Sequence, residues 1–363
     1  MRRQLSVLAL VPYPLGTTPS QRFRLEQWKP HLREGGIDMD IVPFADADLM
    51  TRLYRHDRRW ASAWKLAQAW WRRLSRIATG RAYDVVVVHR AAAIVGPAWL
   101  ERILAQRPTP MIYDFDDAIF LLHTTAGNRR LGWLKFPGKT ETICRLSQHV
   151  VAGNGYLKEF ARRFNDRVTV VPTSIDTDAY RERAADRSER VVVGWAGSAT
   201  SQEHLESFAP ILREAASRWS FDVCVLSDKA PQLDGLSHTW IPWRSDVRAE
   251  VEALSRFDIG IMPMPDDAWS RGKCALKALQ YMAVGSATVC SPVGMNRDLV
   301  RHRENGMLAS TPEEWVASLG TLISDRCLRE RLGRAGRKTI EERFSARRAA
   351  ERFGEVVREV VGP

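Results

Sequence analysis

Several of the ionisable residues in this 363-residue chain fall just after short apolar runs, where a strand would end. Arg271-Gly272-Lys273-Cys274-Ala275-Leu276-Lys277 leads straight into a helix-period stretch, Leu276–Val284. Free N–H groups and the positive end of the dipole favour an anion at a helix start, and three cations with a glycine strengthen that preference. The G-x-x-x-x-G-K-[ST] spacing is absent, so this is not that phosphate loop. Taken alone, the segment would equally suit a solvated basic loop; its place after an apolar run, Ile259–Met262, favours the phosphate of a nucleotide. Asp114, Asp116 and Asp117 follow another such run, with Tyr113 and Phe115 alternating between them. Carboxylates crowded there suit proton transfer or contact with a reacting group better than a metal cage, although capping of the next segment is the commoner use of such aspartates. Arg22 and Arg24 open the first helical stretch, and His89 with Arg90 closes a valine run; a lone histidine at such a place is more often structural than catalytic.

These residues need a frame that brings strand ends together. Apolar runs at Leu5–Val11, Asp84–His89, Met111–Tyr113, Val150–Ala152 and Val168–Val171 are followed by a second series at Val191–Trp195, Val223–Leu226, Ile259–Met262 and Ala287–Cys290. Runs polar on neither side are what a parallel sheet covered on both faces requires. Helix-period segments lie between them, including Gln202–Ser217, Val247–Phe257 and Glu313–Leu322. The alternation predicts an α/β chain of two doubly wound, Rossmann-like domains. The first is expected over 1–172 and the second over 173–345, with a final helix, 346–363, packing back on the first. Pro172–Arg190, poor in apolar residues, reads as the linker. Ligands of open parallel sheets bind beyond the carboxyl ends of the strands, so Gly16 and Arg22 after the first run, Ser198 after Val191–Trp195, and Gly294 after Ala287–Cys290 join the candidates, in a cleft between facing domains.

Composition excludes several classes. Hydrophobic residues at 45% and charged residues at 27% are ordinary for a globular protein. The five cysteines form no C-x-x-C pair, which argues against a disulfide framework or structural zinc and fits a reducing cytoplasm. No apolar run approaches a membrane span. Met1-Arg2-Arg3 before Leu5–Val11 has a faint leader-like look, but Pro12 and Pro14 end the run and no small-residue cleavage site follows, so it reads as a first buried strand. The net charge is +11, and residues 51–81 hold nine cations against Asp57 alone, which is +8 of that excess. A concentrated basic block calls for an anionic partner. Within it, Trp60, Trp64, Trp70 and Trp71 fall on one helical arc, with Arg72 and Arg73 opposite. Tryptophan beside arginine suits a helix lying on an anionic membrane, at the inner face; it also suits a helix packed on its own sheet. No zinc-finger or RNA-recognition signature points to nucleic acid.

Lys277-Ala278-Leu279-Gln280-Tyr281-Met282-Ala283-Val284-Gly285-Ser286-Ala287-Thr288-Val289, followed by Ser291-Pro292-Val293-Gly294 and later Glu304-Asn305-Gly306-Met307-Leu308, resembles the signature of GT-B glycosyltransferases of the family-four, group 1 type. Val150–Asn154 and Val170–Asp176 resemble the stretch before that family's linker. The resemblance covers nearly the whole chain. It implies a retaining, metal-independent, cofactor-free transfer from a nucleotide-diphosphate sugar bound by the C-terminal domain to an acceptor on the N-terminal domain. By that resemblance Ser198, Arg271, Lys273, Lys277, Gln280 and Gly294 serve the donor, Gln280 holding the ribose. Asp116 and Asp117 stand where the family has His-Asp and serve the reacting sugar or acceptor, with Gly16 and Arg22 on the acceptor side. The chain departs from the pattern at Gly272 and Gln280, where the family has glutamates, and Gly197-Ser198-Ala199-Thr200 lacks the family's Arg and Lys. The basic tryptophan helix points to a lipid-linked or membrane-borne glycan acceptor, as in surface polysaccharide synthesis. The missing glutamates keep open a non-catalytic nucleotide- or glycan-binding protein, and a sugar-nucleotide 2-epimerase is a third reading.

Overall fold

The computed structural model describes residues 3–54, 59–79, 82–121, 136, 138–182 and 190–362. The chain divides into two compact units, Met1–Thr173 with Ala346–Pro363, and Ser174–Ser345. Each is built on a six-stranded parallel sheet. The first unit holds β1 (Leu5–Val11), β2 (Ile37–Pro43), β3 (Val85–His89), β4 (Met111–Phe115), β5 (His149–Ala152) and β6 (Val168–Val170) in the order β2-β1-β3-β4-β5-β6. The second holds β7 (Val192–Gly197), β8 (Asp222–Ser227), β9 (His238–Pro242), β10 (Ile259–Met262), β11 (Ala287–Cys290) and β12 (Met307–Leu308) in the order β12-β11-β10-β7-β8-β9. The order reverses between β1 and β3, and again between β7 and β10. Those switch points are where the chain leaves adjacent strands in opposite directions and opens a crevice at their carboxyl ends.

Three strands, β2, β9 and β12, are absent from the sequence reading, and each lies on or next to an open edge. β2 carries Asp38 and Asp40 on its part-exposed positions, β9 is largely exposed, and β12 has two residues. Central strands are buried on both faces and read as continuous apolar runs; edge strands do not. The helix expected over Gln202–Ser217 is two helices, Gln202–Glu206 and Ala209–Arg218, because Pro210 fits only the first turn of a new helix. The stretch expected as a linker is partly integral to the second unit: Ile175 and Tyr180 are fully buried, and Arg337 donates to the Tyr180 and Thr177 carbonyls; residues 183–189 lie outside the described residues.

The Ala346–Val361 helix lies on the Gln27–Glu34 helix of the first unit, its Phe353 ring 5.3 Å from Trp28, and Arg358 caps the Gly35 carbonyl. The Pro312–Ser324 helix begins with a full capping box, Thr311 accepting from the Glu314 N–H and Glu314 reaching back to the Thr311 N–H. Thr311→Ala is expected to destabilise by about 1 kcal/mol, read as a lower melting temperature with unchanged far-UV circular dichroism. All five cysteines are free thiols. Among the described residues, no helix is long and apolar enough to cross a membrane.

The tryptophan helix, Arg59–Thr79, corrects the expected assignment of its faces. Its buried line is Ala69, Arg73 and Ile77, and Arg73 is only 2% exposed, donating to the Val11 carbonyl. Burial, opposed in part by Glu101, pushes the Arg73 guanidinium down to about 9. Arg73 therefore cannot be part of a membrane surface: the helix uses it to cap the end of β1. Trp70 is partly buried, edge-on to Phe44 and Trp99. Trp64 and Trp71 point outward instead, and Arg72 is exposed and paired with Asp46. The Trp60 side chain lies outside the described residues.

Candidate functional site

In the second unit the sequence-predicted donor residues gather at the β7/β10 switch point. The Leu276–Ala283 helix is fixed there by Tyr281, which fills the space opposite Gly260 and whose hydroxyl accepts the Ala196 N–H of β7 at 2.7 Å. A Cβ on Gly260 would overlap the Tyr281 ring, so a glycine in β10 is a packing requirement. The residue before the helix, Ala275, has φ +57°, a left-handed conformation that costs a non-glycine residue about 1 kcal/mol or more. It lies between Lys273 and Lys277.

Lys277 lays its ammonium over the buried Trp195 ring, 4.4 Å from the centroid, and donates to Ser201 Oγ at 3.1 Å. Among the described residues no carboxylate lies within ion-pair distance of it. Burial, reinforced by Lys273, pushes Lys277 down to about 7. Lys273 sits over the Trp269 ring at 5.4 Å. His204 is held below its ordinary value by burial and by the two ammoniums. Ser198 hydrogen-bonds Thr200 at 2.8 Å at the exit of β7, and Ala199 N–H donates to Asp228. Gly294, at φ +51°, lets its loop approach Arg271; a Cβ there would lie 2.7 Å from the Arg271 carbonyl oxygen. Arg271 is paired with Asp266 at 2.7 Å. Gln280 is buried, its amide donating to Glu250 at 2.7 Å and to the Tyr180 hydroxyl at 3.4 Å.

The first unit carries a second polar cluster at its own strand ends. Asp114 is fully buried between Arg24, which holds both carboxylate oxygens and the Val171 carbonyl, and His89 Nδ1 at 2.6 Å. Burial alone would raise the Asp114 carboxyl, but Arg24 and His89 outweigh it and hold it down to about 2. Asp116 and Asp117 face Arg90, at 3.7 and 3.2 Å, and Arg90 also donates to Ser20 Oγ. Arg90 has φ +59°, so both polar clusters contain a non-glycine residue in the left-handed region. Burial opposes charge on Arg90, yet Asp116 and Asp117 raise it, keeping it cationic. Gly16 N–H donates to Glu26, which also holds Gln21, and Arg22 is buried over the Phe23 ring. Asp114 thus serves the buried Arg24–His89 network while Asp116 and Asp117 share Arg90, and among the described residues no three His, Cys, Asp or Glu side chains are grouped to hold a metal ion.

Trp195, Ser201, His204 and Glu250 belong to the lysine cluster of the second unit but are not among the residues singled out from sequence. They come from β7, the short turn after it, the Gln202–Glu206 helix and the Val247–Leu254 helix, and only the strand-end rule could have drawn attention to the first two.

Residues 190–325 match the family model described as Glycosyl transferases group 1. No relative is found among curated protein sequences. Solved structures of the same fold include sucrose-phosphate synthase from Thermosynechococcus elongatus (12% identity, 99% of each chain covered, TM-score 0.70) and a glycosyltransferase from Rickettsia africae (13% identity, 99% of each chain, TM-score 0.70). Anabaena HepE in complex with UDP and glucose is also similar (14% identity, 97% of this chain and 99% of that one, TM-score 0.66). The chain has the GT-B fold of two Rossmann-like units, and its residues 190–325 are similar to the group 1 glycosyl transferases.

Proposed function

We propose that the protein is a glycosyltransferase that takes a nucleotide-diphosphate sugar on its second unit and an acceptor on its first. One observation carries the reading: Lys273 and Lys277 meet at a sheet switch point, Lys277 without a carboxylate partner among the described residues. As the bond to the sugar breaks, charge develops on the leaving diphosphate, and two fixed ammoniums stabilise it more than they stabilise the ground state. No metal or cofactor is called for. Lys273 and Lys277 hold the diphosphate, with Arg271, Ser198 and Gly294 bordering it. Gln280, oriented by Glu250, serves the ribose. HepE structures that hold UDP and UDP-glucose support a donor of this class. Asp116 and Asp117, set by Arg90, contact the reacting sugar or acceptor, with Gly16 and Arg22 beside them. The resemblance to group 1 enzymes supports hexosyl transfer with retention of configuration. The acceptor is a lipid-linked or membrane-borne glycan, and the protein works in the cytoplasm at the inner membrane face.

A non-catalytic nucleotide- or glycan-binding protein is favoured by the missing carboxylates: Gly272 and Gln280 stand where the resembled enzymes have glutamates. Release of nucleoside diphosphate from sugar nucleotides, with lipid extract as acceptor source, separates the two. The transferase reading expects turnover that Asp116→Asn slows by about a hundredfold or more. Nucleotide binding without turnover under any of these conditions establishes the binding protein.

A further inference from the structure

Six large hydrophobic side chains are exposed among the described residues, and four of them lie on two neighbouring helices of the first unit. Trp64 (68% exposed) and Trp71 (70%) are two turns apart on the Arg59–Thr79 helix. With the exposed Ala67 and Ala78 they fall within about 60° of one another at 100° per residue. The Trp99–Ala105 helix runs beside it: Trp99 is edge-on to Trp70 at 6.3 Å, and farther along Arg107 donates to the Ala78 carbonyl at 3.5 Å. That second helix adds Trp99 (62% exposed) and Ile103 (37%), one turn apart. The result is one apolar face shared by two helices, and neither helix pattern alone reveals it.

Arg102 and Arg107 are exposed on the border of this face. The acids of the neighbourhood are engaged elsewhere: Asp46 with Arg72, Asp48 with Lys65 and Arg52, Asp40 with Tyr83, and Glu101 buried against Lys139. Tryptophans with arginines at their edge, where the neighbouring carboxylates among the described residues are already paired, fit the boundary of an anionic bilayer, where the indole body enters the acyl region and its N–H stays hydrated. A symmetric pairing of two copies through this face would instead set each copy's arginines against the other's.

We propose that Trp64, Trp71, Trp99 and Ile103 form a two-helix face that seats the first unit on an anionic lipid surface, with Arg102 and Arg107 at its rim. The inference extends the lipid-borne acceptor reading and rests on it for its purpose, but its test requires no transferase activity, so the two fail separately. Full-length protein is sedimented with phosphatidylcholine vesicles, with and without phosphatidylglycerol, over a range of salt. Wild type is expected to bind the anionic vesicles, less so as salt rises. The double variant Trp71→Ser/Trp99→Ser is expected to lose about tenfold or more of that binding, with an unchanged melting temperature. Trp240→Ser, an exposed tryptophan on β9 of the second unit, is expected to leave it unchanged. If the double variant melts early, the reversal Arg102→Glu/Arg107→Glu carries the test instead, through a loss confined to the anionic vesicles. Equal binding by variants and wild type, or no binding by wild type, overturns the proposal. So does a concentration-dependent dimer abolished by the double variant, which would make the face a self-interface.

Discussion

Replacing Lys277 with methionine is expected to weaken nucleoside diphosphate binding by about ten- to a hundredfold, because a charge-assisted hydrogen bond contributes about 1.5–3 kcal/mol. Lys273→Ala should lose more than about tenfold by the same reasoning. The two differ in their pH signature. Lys277 is held down to about 7 in the free protein, and its ammonium must be charged to serve the diphosphate. Affinity in wild type should therefore fall as pH rises through about 7, and the dependence should flatten in Lys277→Met. Stability of the unliganded protein runs the other way. The folded Lys277 sits below its ordinary 10.5, so the unfolded chain binds more protons between about 7 and 10.5, and stability rises with pH across that window. Lys277→Met removes that slope and should melt higher than wild type at neutral pH. Calorimetric titrations and thermal melts over pH 6 to 10 read both effects at once.

The second large effect lies in the first unit. Arg24→Met leaves the Asp114 carboxylate buried with only His89 beside it, and breaking such a pair costs about 3–5 kcal/mol. For a unit of this size that lowers the melting temperature by roughly 10 °C. Asp114 is held at about 2, below its ordinary 3.8, so its contribution is present above 3.8 and lost as pH falls through about 2. The acid-unfolding midpoint of Arg24→Met should move to higher pH, since Arg24 is the main opposing charge. A melt within a degree or two of wild type would show that the network does not hold the strand ends together.

The buried centre of each sheet was legible because β1, β3, β7 and β10 are apolar on both faces. β2 and β9 were not, since an edge strand can carry Asp38, Asp40 or Thr239 without penalty and so loses the pattern. The helical period set Arg73 apart from the outward Trp64 and Trp71, but Arg73 shares the buried side with Ile77 and the half-buried Trp70; the carbonyl of Val11 decided which side met the sheet. Lys273 and Lys277 stand out in sequence because cations cluster at a helix start. Trp195 and Ser201, which shape the Lys277 site, come from about eighty residues upstream and are ordinary residues until the fold brings them together. The membrane face is a tertiary product in the same sense, since Trp99 and Ile103 are unremarkable in a seven-residue helix until it lies beside Trp70.

The central claim is a nucleoside-diphosphate site at the β7/β10 switch point. Its most direct test is thermal stabilisation of the pure protein by UDP, GDP, ADP, CDP and dTDP, each at millimolar concentration. The account predicts a shift with one base well above the others, lost in Lys277→Met and kept in Trp71→Ser/Trp99→Ser. A wild-type protein that none of the five stabilises, or a shift that survives Lys277→Met undiminished, would contradict it.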